Sequence, residues 1–253
     1  MKQRILTDIE LRARWQSGGG CETLTVESGT ILTPAARDFL REHGVTLVYG
    51  SSYEPMTVTP LPAEGGKPRY RDAVTGQEME SKGEFMTHLH GNLLVPKTNP
   101  RIAFRGKLDC LMAQLIGVQM VAAEEDKEAL AEELQQLLLR LHQILAAEVK
   151  DEPLAPQKLL GMDSSEIRRV SHRVKEYIGI DHPIPSYKMG RMCCALNRLR
   201  TQVREVELAA ANAFADGQGG CCRMDILQEL NRLSSCVYIL FCRNLAGWYK
   251  GRA

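Results

Sequence analysis

Four long stretches of the chain, 104–123, 127–149, 188–214 and 224–245, place apolar residues at intervals of three and four. That period matches one face of an α-helix, so each stretch predicts a helix with a buried stripe, and together they predict a helical bundle. A shorter helix is predicted over 164–177, and the loop GIDHPIPSY after it is held out of helical geometry by Pro183 and Pro185. The first fifty residues follow a different pattern. The segment TLTVESGTIL alternates and reads as strand. Thr33 then fits the N-cap of a helix opened by Pro34, and Gly44 suits the residue that ends it before the strand-like VTLVY. With a short helical start and a turn at Gly18, Gly19 and Gly20, this is a small α/β appendage whose expected role is docking or oligomerisation. Residues 51–86 hold Pro55, Pro60, Pro62, Pro68 and the Gly65–Gly66 pair with few large apolar groups, so they read as a linker or extended loop. The expected plan is therefore an N-terminal module over 1–50, a linker over 51–86 and a helical domain over 87–253.

Composition narrows the classes. With 253 residues, 44% hydrophobic and 25% charged, the chain can bury a substantial core and is neither disordered nor fibrous. Thirty-two Lys and Arg against thirty-one Asp and Glu leave a formal charge of +1, which provides no global field for nucleic acid or an anionic membrane. Neither is expected as a partner, and an anionic ligand has to be held locally. The eight cysteines include the adjacent pairs Cys193–Cys194 and Cys221–Cys222 and suggest no disulfide framework. The charged N-terminus has no signal-peptide run, and no apolar stretch is long enough to span a bilayer, so a reduced, cytoplasmic setting is expected. No CxxC pair occurs and the six histidines do not recur at ligand spacing, so no metal site is expected.

Candidate chemistry lies on the predicted helices. In the third long one, Met192, Leu196, Leu199, Val203, Val206, Ala210 and Phe214 trace the buried stripe, and Asn197, Arg200, Arg204 and Glu207 run beside it. Two arginines four apart repel unless something anionic lies between them. A polyphosphate would fit the planar guanidinium forks, and the carboxylate could hold the accompanying divalent cation. The competing reading is a solvated face with an Arg204–Glu207 surface pair. In the last helix Asn231, Arg232, Ser234 and Ser235 interrupt an apolar run, either to bond across the bundle or to read a base or ribose. Asp109, between Leu108 and Leu111 in the first bundle helix, reads as near the core-facing side, where a carboxylate needs a cation. An arginine from a neighbouring helix, Arg200, is its expected partner.

The segments NPRIAFRGKLD, NRLRTQVREVELA and LNRLSSCVY, in that order, resemble the corrinoid (cobalamin) adenosyltransferases. MTHLHGNLLVPKTNPRIAFRGKLD and TPAARDFLREHGV are similar to the ethanolamine-utilisation branch of that family, so the likeness covers about residues 5–246. The resemblance implies a mainly α, ferritin-like five-helix up-down bundle that moves the 5′-deoxyadenosyl group of ATP to the cobalt of Co(I) cobalamin and leaves triphosphate. It further implies Mg²⁺ with the ATP, a flavoprotein reductant, and adenosylcobalamin delivered to ethanolamine ammonia-lyase. Also implied are a cytoplasmic setting with association to a bacterial microcompartment, and homotrimers, or alternatively dimers, with sites between subunits. Carried over by motif, Arg200, Arg204 and Glu207 would grip the triphosphate and its cation, and Asn231 would contact the nucleotide. Asp109 would salt-bridge Arg200, making these two the catalytic pair. Lys97 and Thr98 are candidate ATP contacts by position, and His182 aligns with the loop aromatic that lies against cobalamin and excludes its lower axial ligand.

Two departures stand out. The Gly- and Thr-rich N-terminal ATP loop of the commoner branch is absent. The stretch RYRDAVTGQEMESKGEF holds no cysteine where the ethanolamine branch often carries a metal-binding cluster, so that metal requirement is not carried over and Cys221 and Cys222 read as incidental thiols. These departures leave open a noncatalytic corrinoid-binding or delivery protein, and a structural helical scaffold.

Overall fold

The side chain of Thr33 accepts a hydrogen bond from the Ala36 amide at 3.3 Å while Pro34 occupies the first helical position, so the N-terminal helix starts where capping chemistry places it. Gly44, at φ +63°, then turns the chain out of the helix in a conformation that favours glycine. The computed structural model describes residues 5–17, 23–27, 30–50 and 70–249, which fall into two compact units, 1–65 and 66–253. In the first, β1 (Ile5–Leu6), α1 (Asp8–Ser17), β2 (Thr23–Glu27), β3 (Ile31–Leu32), α2 (Pro34–Glu42) and β4 (Thr46–Gly50) follow one another. The parallel pairs β1–β3 and β2–β4 accompany a small core of Leu6, Leu11, Val26, Ala36 and Phe39, with Trp15 edge-on to Phe39 at 5.8 Å. The α/β character matches the sequence pattern; the expected glycine turn at 18–20 lies outside the described residues.

The second unit opens with a four-stranded sheet, in the order β6–β5–β8–β7, built from β5 (Tyr70–Asp72), β6 (Glu78–Met79), β7 (Met86–His90) and β8 (Leu93–Pro96). The stretch expected to be extended thus carries strands over 70–86, and 51–69 lies outside the described residues. These strands are short and half-exposed, so they leave little hydrophobic signal. Turn chemistry closes them: the Asp72 carboxylate accepts from the Val74 and Thr75 amides at 2.9 and 2.7 Å.

The helices are α3 (Pro100–Glu124), α4 (Glu128–Lys150), α5 (Ser164–His172), α6 (Val174–Ile178), α7 (Arg191–Ala213) and α8 (Met224–Leu245), with a single 3₁₀ turn at Tyr187–Met189. Asn99 caps α3, ahead of Pro100, and a reciprocal Asp163–Glu166 capping box opens α5. The helix predicted over 164–177 is interrupted at Arg173, whose backbone leaves helical geometry at φ −129°, ψ 46°. Phe104 meets Phe214, and Glu124 meets Arg191 at 2.6 Å, so α3 and α7 run antiparallel. Asn231 to Glu207 and Asn244 to Cys193 make α7 and α8 antiparallel, and Arg140 to Glu229 and Arg243 to Glu133 do the same for α4 and α8.

The fold is therefore mainly helical, with α5 packed on α8 and a continuous core including Leu108, Leu115, Leu134, Leu196, Val203 and Leu230. Ionic ties lock its ends. Glu148, fully buried, accepts from Arg101 at 2.7 Å and also from Arg105, and Arg140 reaches Glu229 at 2.6 Å and the Ala155 carbonyl at 2.8 Å. No described helix is long and apolar enough to cross a membrane.

Candidate functional site

The spacing of Arg200, Arg204 and Glu207 puts all three on one face of α7, and that of Asn231, Ser234, Ser235 and Tyr238 does the same on α8. The two faces meet, together with Ser171 and His172 of α5, around a mostly polar cavity of about 290 Å³. Of the polar cluster read in the last helix, Arg232 alone turns aside, donating to the Ser164 hydroxyl at 3.0 Å.

The arginines at this cavity differ from those that tie the helix ends together. Arg101, Arg140, Arg223 and Arg243 each hold a carboxylate oxygen within 2.6 to 2.9 Å. Arg200 instead donates through Nε and Nη2 to the Asn197 side-chain oxygen at 3.3 and 3.1 Å, and Arg204 has no partner among the described residues. Glu207 lines the same cavity but makes no direct ion pair with either arginine, its carboxylate accepting from Asn231 Nδ2 at 3.0 Å. The Arg204–Glu207 surface pair is thus not formed. Two guanidiniums without a counter-ion at a polar cavity repel each other and favour an anion that can bridge them. A larger cavity of about 590 Å³ lies beside Arg101, Phe214 and Arg223, but Glu148 and Asp225 already satisfy its arginines. It offers an anion much less.

Tyr238 lines the polar cavity, and His182 packs against it. Burial pushes the Tyr238 hydroxyl pKa up, with neighbouring Cys242 adding to the shift and Arg200 opposing it, so the hydroxyl stays protonated. Its ring lies parallel to that of His182 at 6.1 Å between centroids, and the two side chains hydrogen-bond at 2.8 Å. His182, exposed on the loop before α7, comes to the cavity edge through this contact.

The other sequence-predicted residues are placed elsewhere. Asp109 is exposed and has no ion pair with Arg200 within the chain, which corrects the expected pairing. It sits well round the helix from the buried stripe of Leu108, Leu111, Met112 and Leu115, and Arg200 faces α5 and α8. The antiparallel register also sets the two apart by roughly 9 Å along the helix axes. Lys97 and Thr98 are exposed before the start of α3, with Lys97 bound to Glu84 at 2.8 Å. That end of α3 meets Phe214, roughly 15 Å of helix from Arg204, so neither residue joins the cavity within one chain. The sequence reading missed Ser171, His172 and Tyr238. Tyr238 had a signal, being seven residues from Asn231 and four from Ser234 on the same face. The α5 pair had none, because packing brings it in from a distant segment.

Comparison with known proteins bears on this site. The family model described as Cobalamin adenosyltransferase matches residues 80–244. Corrinoid adenosyltransferase EutT of Salmonella typhimurium is 34% identical over 252 residues, covering 96% of this chain and 92% of the relative. Its namesake from Escherichia coli strain K12 is 33% identical over 246 residues, covering 93% and 90% respectively. No solved structure matches. On the matched family model and the near full-length identity, the chain belongs to the cobalamin adenosyltransferase family.

Proposed function

We propose that the chain is an ATP:cob(I)alamin adenosyltransferase that makes adenosylcobalamin for ethanolamine ammonia-lyase. The observation that carries this reading is the pair of unneutralised arginines, Arg200 and Arg204, at the cavity lined by α5, α7 and α8. Adenosyl transfer needs no protein nucleophile, because reduced cobalt supplies the electron pair. Co(I) attacks the ribose C5′, the Co–C bond forms with both of its electrons, and the C5′–O pair departs with triphosphate. The task left to the protein is positioning and charge stabilisation. Arg200 and Arg204 meet the charge growing on the leaving group, and Glu207 is suited to the Mg²⁺ that accompanies the nucleotide. Asn231, already turned toward Glu207, and Ser234 supply polar groups for the nucleoside. His182 lies on the loop that would face the corrin.

A cavity of about 290 Å³ is at the small end for a ligand pocket, and a nucleotide with a corrin needs more enclosure. In this proposal a second copy supplies it, in a homotrimer or alternatively a dimer. The exposed Asp109 then meets Arg200 of the partner subunit, and Lys97 and Thr98 approach the nucleotide across the same seam. The catalytic domain is assigned to 87–253, with α5 as the fifth helix of the bundle and 1–50 as an accessory module. A flavoprotein donor and a cytoplasmic, microcompartment-associated setting complete the proposal. The test is direct: full-length protein with ATP, Mg²⁺ and chemically reduced cobalamin should develop the adenosylcobalamin spectrum. Corrinoid binding with no product would identify a carrier instead, and binding of neither substrate a scaffold.

A further inference from the structure

The loop between α6 and α7 carries two large apolar side chains into solvent, Ile184 at 86% exposure and Tyr187 at 82%. Its ends turn at Gly179 and Gly190, both at φ near +87°, and Pro183 and Pro185 stiffen it. Its side chains reach the helices through Asp181, which pairs with Lys175 of α6 at 2.8 Å, through Ile180 and Met189 against the core, and through His182, which ties the loop to α5 and α8. The His182 Nε2 lies 3.3 Å from the His172 carbonyl, which can only accept, so Nε2 donates there and Nδ1 is left as acceptor for the Tyr238 hydroxyl at 2.8 Å. Tyr238 faces two ways. It lines the cavity that holds Arg200 and Arg204, and its ring stacks on Phe241, which lines a neighbouring cavity of about 350 Å³ under Pro185, Ser186 and Tyr187.

We infer that Tyr238 is a positioning residue, which through His182 fixes the 179–190 loop relative to the arginine cavity so that the corrin-facing side chains and the nucleotide tail are held in register. This rests on the adenosyltransferase reading above and adds a residue to it. The hydroxyl sets loop geometry and the stacked ring sets its height above α8, so removing the hydroxyl alone should loosen the loop while leaving the helices packed.

In Tyr238→Phe, amide hydrogen exchange over 180–190 should rise about tenfold, the scale of one lost hydrogen bond, with exchange in α7 and α8 unchanged. The KM for cobalamin should rise about tenfold and that for ATP change less than twofold. His182→Leu, which removes this contact and the one to the His172 carbonyl, should loosen the loop at least as much, and adding Tyr238→Phe to it should bring no further change, because the Tyr238 bond is already gone. Unchanged loop exchange in the two variants, additive effects, or equal losses for both substrates would overturn the assignment. The exchange measurement needs no turnover. Loop loosening in a protein whose wild type makes no adenosylcobalamin would therefore refute the enzymatic reading while leaving the anchor in place.

Discussion

Arg204 has no counter-ion among the described residues, and Arg200 is steadied only by the neutral Asn197 amide. Charges held this way contribute little to the fold, since Arg204 is exposed and Arg200 is only partly buried. Arg200→Ala and Arg204→Ala should each lower turnover about a hundredfold, the scale of losing one donor to a developing charge, with little loss of melting temperature. Lysine replacements should recover only part, since a point charge lacks the bidentate fork. Asp109 makes a contrasting case. Asp109 is exposed and has no ion pair among the described residues, so Asp109→Asn should shift thermal stability by less than about 0.5 kcal/mol yet reduce adenosylcobalamin formation. An equally active variant would remove Asp109 from the site. That Arg200, Arg204 and Glu207 share one face was legible because helical period fixes azimuth from spacing alone, whereas the convergence of Asn231 on them depends on how α7 and α8 pack. The intrachain Asp109–Arg200 pair was misread for the same physical reason: adjacency to Leu108 and Leu111 says little about direction, since successive residues differ by about a hundred degrees.

Among elements, the four long helices and the Thr33 cap of the short N-terminal helix could be read closely from sequence, while the Asn99 cap, β5, β6 and the break at Arg173 could not. Strands of two or three half-exposed residues have too few positions to show a period, and the Arg173 break is not announced by proline or glycine. Joints between helices rest on charge as well as packing. At the start of α8, burial opposes ionisation of Asp225, but the Arg223 guanidinium and the Leu154 and Ile226 amides outweigh it and hold the carboxyl at about 2, against an ordinary 3.8. A carboxyl lowered on folding stabilises the protein above its unfolded pKa, and that contribution is lost as pH falls through the folded value. Acid unfolding of the wild type should therefore steepen between pH 3.8 and about 2. Asp225→Asn should flatten that limb and cost about 2 kcal/mol at neutral pH in denaturant titrations. Unaltered acid sensitivity would mean that the Arg223 tie does not anchor α8.

For the whole molecule, a change of pattern between the N-terminal segment and the helical segment was visible in the sequence, but the relation between copies was not, because a sequence carries no periodic mark for where a partner sits. The first bundle helix exposes Ile116 at 47% and Met120 at 60%, on the same element that carries Asp109. Light scattering should find a three-chain assembly, or a two-chain one, and Ile116→Glu with Met120→Glu should yield inactive single chains that still melt cooperatively.

The exposed Asp109 on α3 also carries a kinetic signature. If Asp109 reaches its arginine only when chains meet, specific activity cannot be constant on dilution. Rate per milligram of the wild type should fall toward zero in the nanomolar range, and at concentrations where chains assemble, a mixture of the Arg200→Ala and Asp109→Asn variants should regain activity that neither has alone, since a pair of crippled chains can still assemble one seam with both groups intact.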